Sequence, residues 1–220
     1  MTRYGKRFWI LGAAMAGLAG YVDAIGFLKL GGLFVSFMSG SSTRLAVGLA
    51  LHRPVAGIAA GLIAAFIGGV MAGTMVTTAA GGWRKPATLV GVALLLGTAA
   101  AVDGRGSAGS TAALLAAAMG MANTLFQQDG EVSVGVTYMT GAVVKFAQRL
   151  AQAILGGPRW AWLPYLLLWC GLVTGAVTGA IAYPRLGTAA IAAAAGLAAL
   201  LALYAALLGP TDVRAVRRDA

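Results

Sequence analysis

Charged residues cut the chain into long apolar runs. Residues 54–83 lie between Arg53 and Arg84, and residues 86–102 between Lys85 and Asp103. Residues 106–128 precede Asp129, residues 160–184 lie between Arg159 and Arg185, and residues 186–211 run to Asp212. With residues 8–22 continued past Asp23, six segments approach the ~20 residues that a helix needs to cross about 30 Å of hydrocarbon. Pro54, Pro86, Pro158 and Pro184 stand at the predicted segment starts, where a missing N–H costs least. Trp160, Trp162 and Tyr165 sit where a span enters, as in an interfacial belt.

Two further stretches, 27–53 and 130–157, are apolar but interrupted. The first carries Ser39-Gly40-Ser41-Ser42-Thr43-Arg44, and the second Tyr138-Met139-Thr140-Gly141 with Lys145. Gly40 and Gly141 are 101 positions apart, as are Arg44 and Lys145, and Arg84 and Arg185. Asp23 and Asn123 are 100 apart, and Gly69/Gly73 precede Gly171/Gly175 by 102. A shared offset across motifs of different chemistry predicts an internal duplication. The two repeats, 1–105 and 106–220, form one integral membrane domain.

The parity of each repeat then sets the architecture. A helix over 42–51 is roughly 15 Å long at 1.5 Å per residue, half the hydrocarbon thickness. If it is re-entrant, each repeat crosses three times and the second is inverted, with broken helices meeting near the midplane. If it crosses fully, there are eight spans and parallel repeats. The polar Ser39–Arg44 run is expensive at the centre of a lipid-facing helix, which favours six spans plus two half-helices. Either way the fold class is all-α integral membrane.

Composition agrees. Of 220 residues, 60% are hydrophobic and 10% charged, against about 45–50% and about 25% in soluble domains. Charge-free runs of this length exclude a β-barrel, whose strands are short and alternating. The net charge of +10 arises at the ends of runs, at Arg3, Lys6 and Arg7, at Arg84 and Lys85, and at Arg214, Arg217 and Arg218. That is the positive-inside pattern, so the partner of the basic residues is the lipid bilayer and not nucleic acid. A bacterial inner-membrane address follows, with both termini cytoplasmic. The basic and apolar N-terminus reads as a retained first span rather than a cleaved signal. Cys170, the single cysteine, allows no disulfide within the chain and reads as a small apolar filler.

The stretch Gly20-Tyr21-Val22-Asp23-Ala24, then Phe27-Leu28, Gly31-Gly32, Phe34 and Phe37 to Thr43, resembles the YoaK-like family of bacterial membrane proteins of unknown function. Gly120-Met121-Ala122-Asn123 with Thr137 to Gly141 is similar to that family's second signature. The departure is Ser41, where the family pattern has Asn. The resemblance implies a six-span membrane fold and supplies no substrate or activity.

Candidate chemistry concentrates at the two breaks. A helix entered from irregular chain at Ser39-Gly40, or at Thr140-Gly141, has N–H groups without partners. Such an end attracts negative charge. Arg44 and Lys145 in the early turns oppose the dipole, so an anionic group is expected nearby. The functional reading joins Ser39, Gly40, Ser41, Thr43, Arg44, Thr140, Gly141 and Lys145, with Asp23 and Asn123, into a midplane site for an anion or a carboxylate- or phosphate-bearing solute. The structural reading ties Arg44 to Asp23 and lets Lys145 snorkel to the interface. Asp23, an intramembrane acid whose repeat partner cannot titrate, is a candidate proton-coupling carboxylate or a one-off salt bridge. Lys145, Gln148, Arg149 and Gln152 form a polar stripe that lines a vestibule or meets headgroups. The glycine pairs permit close helix packing, within the protomer or across a dimer.

An enzyme is not expected. There is one histidine, no His/Cys cluster for zinc, and no spaced carboxylate set, so neither metal nor cofactor is implied. A small secondary transporter with its site between the repeats is the leading reading. A channel and a non-transporting scaffold or accessory subunit are the alternatives. Six short spans leave little room for a closed pathway in one protomer, so a homodimer is expected.

Overall fold

The computed structural model describes residues 6–106, 108–128, 131–132 and 137–210. The basic residues Arg3, Arg214, Arg217 and Arg218, and Asp129, which ends the 106–128 run, lie outside the described residues. Among the described residues there are eight α-helices: α1 (Lys6–Lys29), α2 (Met38–Ala50), α3 (Val55–Ala80), α4 (Arg84–Asp103), α5 (Ala108–Ala122), α6 (Met139–Ile154), α7 (Leu163–Leu186) and α8 (Thr188–Leu207). A two-residue antiparallel ladder, Gln127–Gln128 against Glu131–Val132, is the one departure from all-α.

Five helical runs are long and apolar enough to cross a membrane. One of them, Val55–Asp103, has 49 residues and folds back at a 3-10 turn, Gly81–Trp83, so that it contains both α3 and α4. The reversal needs Gly81 at φ 52°, ψ −120°, a conformation costly for any residue with a Cβ. Gly187 makes the same turn between α7 and α8 at φ 54°, ψ −127°. Pro184 consequently lies inside the last turn of α7 and does not start a segment. Pro164 instead occupies the first turn of α7, where a proline is tolerated. The short helices α2 and α6 have 13 and 16 residues, about 20 and 24 Å, and neither reaches across ~30 Å.

Contacts at the ends of helices give the directions. Lys29, the last residue of α1, forms an ion pair with Asp103, the last residue of α4. Asp103 also accepts a 2.8 Å bond from Thr188 Oγ1 at the start of α8. The ends of α1 and α4 and the start of α8 therefore share one end of the bundle. Because α3 reverses into α4, α3 starts at that end too. The chain leaves α1 and re-enters α3 on the same side, with α2 between them. After the turn at 104–106, α5 starts there and runs antiparallel to α1. By the same logic α6 belongs to the opposite end.

The core is centred on α1 and α5, where Leu11, Met15, Leu18, Val22, Ile25, Leu115 and Met119 are fully buried. α1 packs along α7, α3 along α5, and α4 along α8. Exchanging α1 with α5, α2 with α6, α3 with α7 and α4 with α8 maps each of these contacts onto another in the set. Close approach depends on glycine. A Cβ built on Gly69 would run into Ala117 O, and one on Gly175 into Gly17 O. Gly120 meets Phe66 O and Val70 N as Gly20 meets Leu172 O and Ala176 N. These geometries equate α3 with α7 at a spacing of 106, not 102, and leave Arg84 and Arg185 without correspondence. The small-residue faces pack within the protomer.

The outside is a belt of exposed Ile58, Ile67, Met71, Met75, Val173, Ile181, Leu200 and Leu203. Contiguous apolar surface of that extent is an aggregation liability in water and the required surface in lipid. Cys170 is exposed on this belt and is not a core filler.

Candidate functional site

The segment from Leu30 to Phe37 descends from the end of α1 back into the bundle, so its backbone polar groups need partners inside the protein. Asp23 supplies them. Its Oδ1 accepts from the amides of Val35 and Ser36, both at 2.9 Å, and its Oδ2 accepts from Ser36 Oγ at 2.8 Å. In the second half Asn123 holds Thr137 in the same way. Asn123 Oδ1 accepts from Thr137 N at 3.4 Å, Nδ2 lies 3.0 Å from Thr137 Oγ1, and Nδ2 also donates to Met119 O at 2.9 Å. Asp23 and Asn123 are thus braces that fix where α2 and α6 begin. Asp23 is not tied to Arg44, whose guanidinium folds back over Gly32.

Held by these braces, the two short helices start in matching fashion. Phe37 and Tyr138 are the N-cap residues, at φ −85°, ψ 77° and φ −83°, ψ 59°, and neither start has a side-chain cap. The amides of Ser39, Gly40, Thr140 and Gly141 fall in the first turns, where no helical acceptor exists. The helices begin at Met38 and Met139, slightly earlier than the glycine breaks suggest.

Both starts open on one cavity of about 340 Å³. Its wall is Ser36, Phe37, Met38 and Ser39 from one half, Thr137, Tyr138, Met139, Thr140 and Gly141 from the other, and Phe66. Phe66 is the twelfth of 26 residues in α3, which places the cavity near mid-depth of that helix. No charged side chain lines it. The lining is donor-rich and aromatic: two helix starts, the hydroxyls of Ser39 and Thr140, and the exposed rings of Phe37 and Tyr138.

Of the residues singled out from sequence, Ser39, Thr140 and Gly141 are brought together here. Gly40 sits just behind, packed against the Phe37 ring. Ser41 is buried and donates to Phe34 O, while Thr43 donates to Ser39 O at 3.0 Å, so both hydroxyls serve the local backbone. Arg44 and Lys145 are exposed on their helices and do not line the cavity. The stripe on α6 is likewise at the surface, where Arg149 donates to Gln152 Oε1 at 3.0 Å. Sequence reasoning named Phe37, Met38, Thr137, Tyr138 and Met139 within the breaks and signatures without assigning them to the site, and missed Ser36. The signal was present: each of these pairs obeys the 101-residue spacing.

A model of a family described as a protein of unknown function (DUF1275) matches residues 11–204, from the first turns of α1 into the last turn of α8. The chain belongs to the DUF1275 family. A UPF0700 transmembrane protein of Rhizobium meliloti (strain 1021) is 35% identical over 204 residues, covering 90% of this chain and 85% of that relative. No solved structure matches the chain. The cavity and both braces lie inside the DUF1275 region. The family, the transmembrane relative and the apolar belt agree on a multi-span membrane protein of a family of unknown function, which is the level at which the YoaK-like resemblance holds.

Proposed function

We propose that this DUF1275 chain is a small permease of six spans and two re-entrant half-helices, arranged as inverted repeats, with its solute site in the cavity where the half-helices meet. The carrying observation is that cavity, lined by the starts of α2 and α6 and by mid-helix Phe66. Helix starts entering from opposite faces are a recurring way to place binding groups at the midplane. The matched turns at Gly81 and Gly187 and the matched contacts at Gly69 and Gly175 support the duplication.

Charge placement supports an orientation with both termini cytoplasmic. Lys6, Arg7, Arg84, Lys85, Lys145, Arg149 and Arg159 fall at the end opposite Lys29. Lys29, Arg44, Arg53, Arg105 and Arg185 fall at the other, where Lys29 is neutralised by Asp103.

The cavity selects by donors and not by side-chain charge. Its first-turn amides and two helix dipoles favour a small anion or a solute with a carboxylate or phosphate group. At about 30 Å³ per water-sized group, the volume holds roughly eleven such groups. Ser39→Cys and Thr140→Cys in a Cys170→Ser background test this. Both thiols are expected to react with a water-soluble thiol reagent, and Thr140→Cys modification to block saturable uptake of acetate, lactate or phosphate into proteoliposomes. Thiols silent to that reagent would mean a dry cavity and would sink the permease reading.

A further inference from the structure

We propose that the groove between α1 and α7 is a binding site for lipophilic cations, with Asp23 as the counter-charge. It shares no lining residue with the cavity between the half-helices and does not rest on the permease reading. The groove measures about 510 Å³ and opens on the outer surface, with exposed Phe27, Leu28 and Val177 along it. Drug-sized ligands occupy sites of about this size. Its walls are otherwise apolar, so the single carboxylate decides what it selects.

Three observations give that carboxylate a free role. The first is its stoichiometry. A carboxylate has roughly four lone-pair sites, and Val35 N, Ser36 N and Ser36 Oγ use three, leaving capacity on Oδ2. The second is the surrounding charge. On α1, Lys29 is committed to Asp103, and on α2 Arg44 faces Gly32. The α7 wall from Leu172 to Ala180 contains no titratable residue, and neither does the 30–37 segment. Among the described residues no cation pairs with Asp23, an exception to the usual pairing of intramembrane acids. The third is the comparison with Asn123, which makes an equivalent brace with an amide, is 2% exposed, and lies beside buried Thr124, Leu125 and Phe126. The brace itself does not require a charge.

The aromatic wall points to the same ligand class. The Phe27 and Phe34 rings line the groove with centroids 5.0 Å apart, offering faces to a cation beside the carboxylate. Apolar walls, two rings and one anion suit a cation with a hydrophobic body, arriving laterally from the bilayer.

The probe is radiolabelled tetraphenylphosphonium, bound to the full chain in nanodiscs of zwitterionic lipid. Saturable binding is expected, with neutral triphenylphosphine oxide failing to displace it. Asp23→Asn keeps an acceptor for both amides, so it is expected to retain the melting temperature while weakening binding by about tenfold or more. Val177→Trp fills the groove with Asp23 intact and is expected to weaken binding similarly; should Asp23→Asn not fold, this variant alone decides. Absence of saturable binding by the native chain, a folded Asp23→Asn binding within twofold of it, or undiminished binding by Val177→Trp would each overturn the proposal.

Discussion

Glycine at the α1–α7 contact gives the sharpest quantitative expectation. A methyl group added at Gly175 points at the carbonyl oxygen of Gly17 and stands 2.6 Å from its carbonyl carbon. The obstacle is backbone on a packed helix, which cannot rotate away as a side chain can. Overpacking of this kind costs about 1–3 kcal/mol, and the rigid obstacle favours the upper end. Alanine in place of glycine returns about 0.5–1 kcal/mol through helix propensity, so Gly175→Ala is expected to lose about 2 kcal/mol. Gly196 on α8 is the control, because a Cβ there meets nothing within 4 Å. Gly196→Ala is expected to gain the propensity term without the clash. Equilibrium unfolding of the two variants in the same mixed micelles should therefore differ by about 2–3 kcal/mol. Gly69→Ala, which meets Ala117 in the same way, should match Gly175→Ala. Equal stability of Gly175→Ala and Gly196→Ala would refute the close approach and the pairing of α1 with α7.

Four other outcomes follow from the braces and the helix ends. Asp23→Ala leaves the amides of Val35 and Ser36 without acceptors, at about 1–3 kcal/mol each, whereas Asp23→Asn is expected within about 1 kcal/mol of native; thermal unfolding of both variants checks the ordering. Asn123→Ala should show the same loss, because Thr137 then stands unheld. Removing one member of the partly buried Lys29–Asp103 pair is expected to cost about 1–3 kcal/mol, between the surface and the buried limits, and replacing both by apolar residues to recover much of it; a double-mutant cycle with Lys29→Met and Asp103→Leu measures the coupling. Arg105→Cys in a Cys170→Ser background is expected to label from the side opposite the N-terminus, and labelling from the N-terminal side would exclude inverted repeats.

Much of the fold was legible because lipid imposes one demand, that each span be apolar and helical. The long runs ended within a few residues of Arg53, Arg84, Asp103 and Arg185. The glycine offsets were legible less well. Gly69 and Gly171 share a residue type at a spacing of 102, yet the spacing grows from 101 at α6 to 106 at α7, so five more residues lie between the matching points in the second half and the true match is Gly69 with Gly175. A spacing inferred from one residue type cannot detect a one-turn slip along a helix rich in glycine. Arg44 and Lys145 misled for another reason. Their position in the early turns is real, but a helix face is set by rotation, and both side chains are exposed and absent from the cavity lining. Ser36 and Thr137 were overlooked because a brace is recognised by what it bonds, and neither residue type announces that role.

The direction of α2 was beyond any reading of composition, and the geometry decides it through residues remote from α2. Lys29 and Asp103 close the ends of α1 and α4 together, and Thr188 adds the start of α8. Once α4 ends beside the end of α1, the Gly81 reversal requires α3 to begin on that side. The segment between α1 and α3 must then return to the face it left. Asp23 lies six residues inside the end of α1, about 9 Å below it, and it grips Ser36 at that depth. One ion pair, one glycine turn and one carboxylate brace therefore carry the proposal that α2 is re-entrant. In the second half Asn123 holds Thr137 and Gly187 turns α7 into α8, and on the permease reading proposed above the cavity is where two such returns, from opposite ends, stop at the same depth.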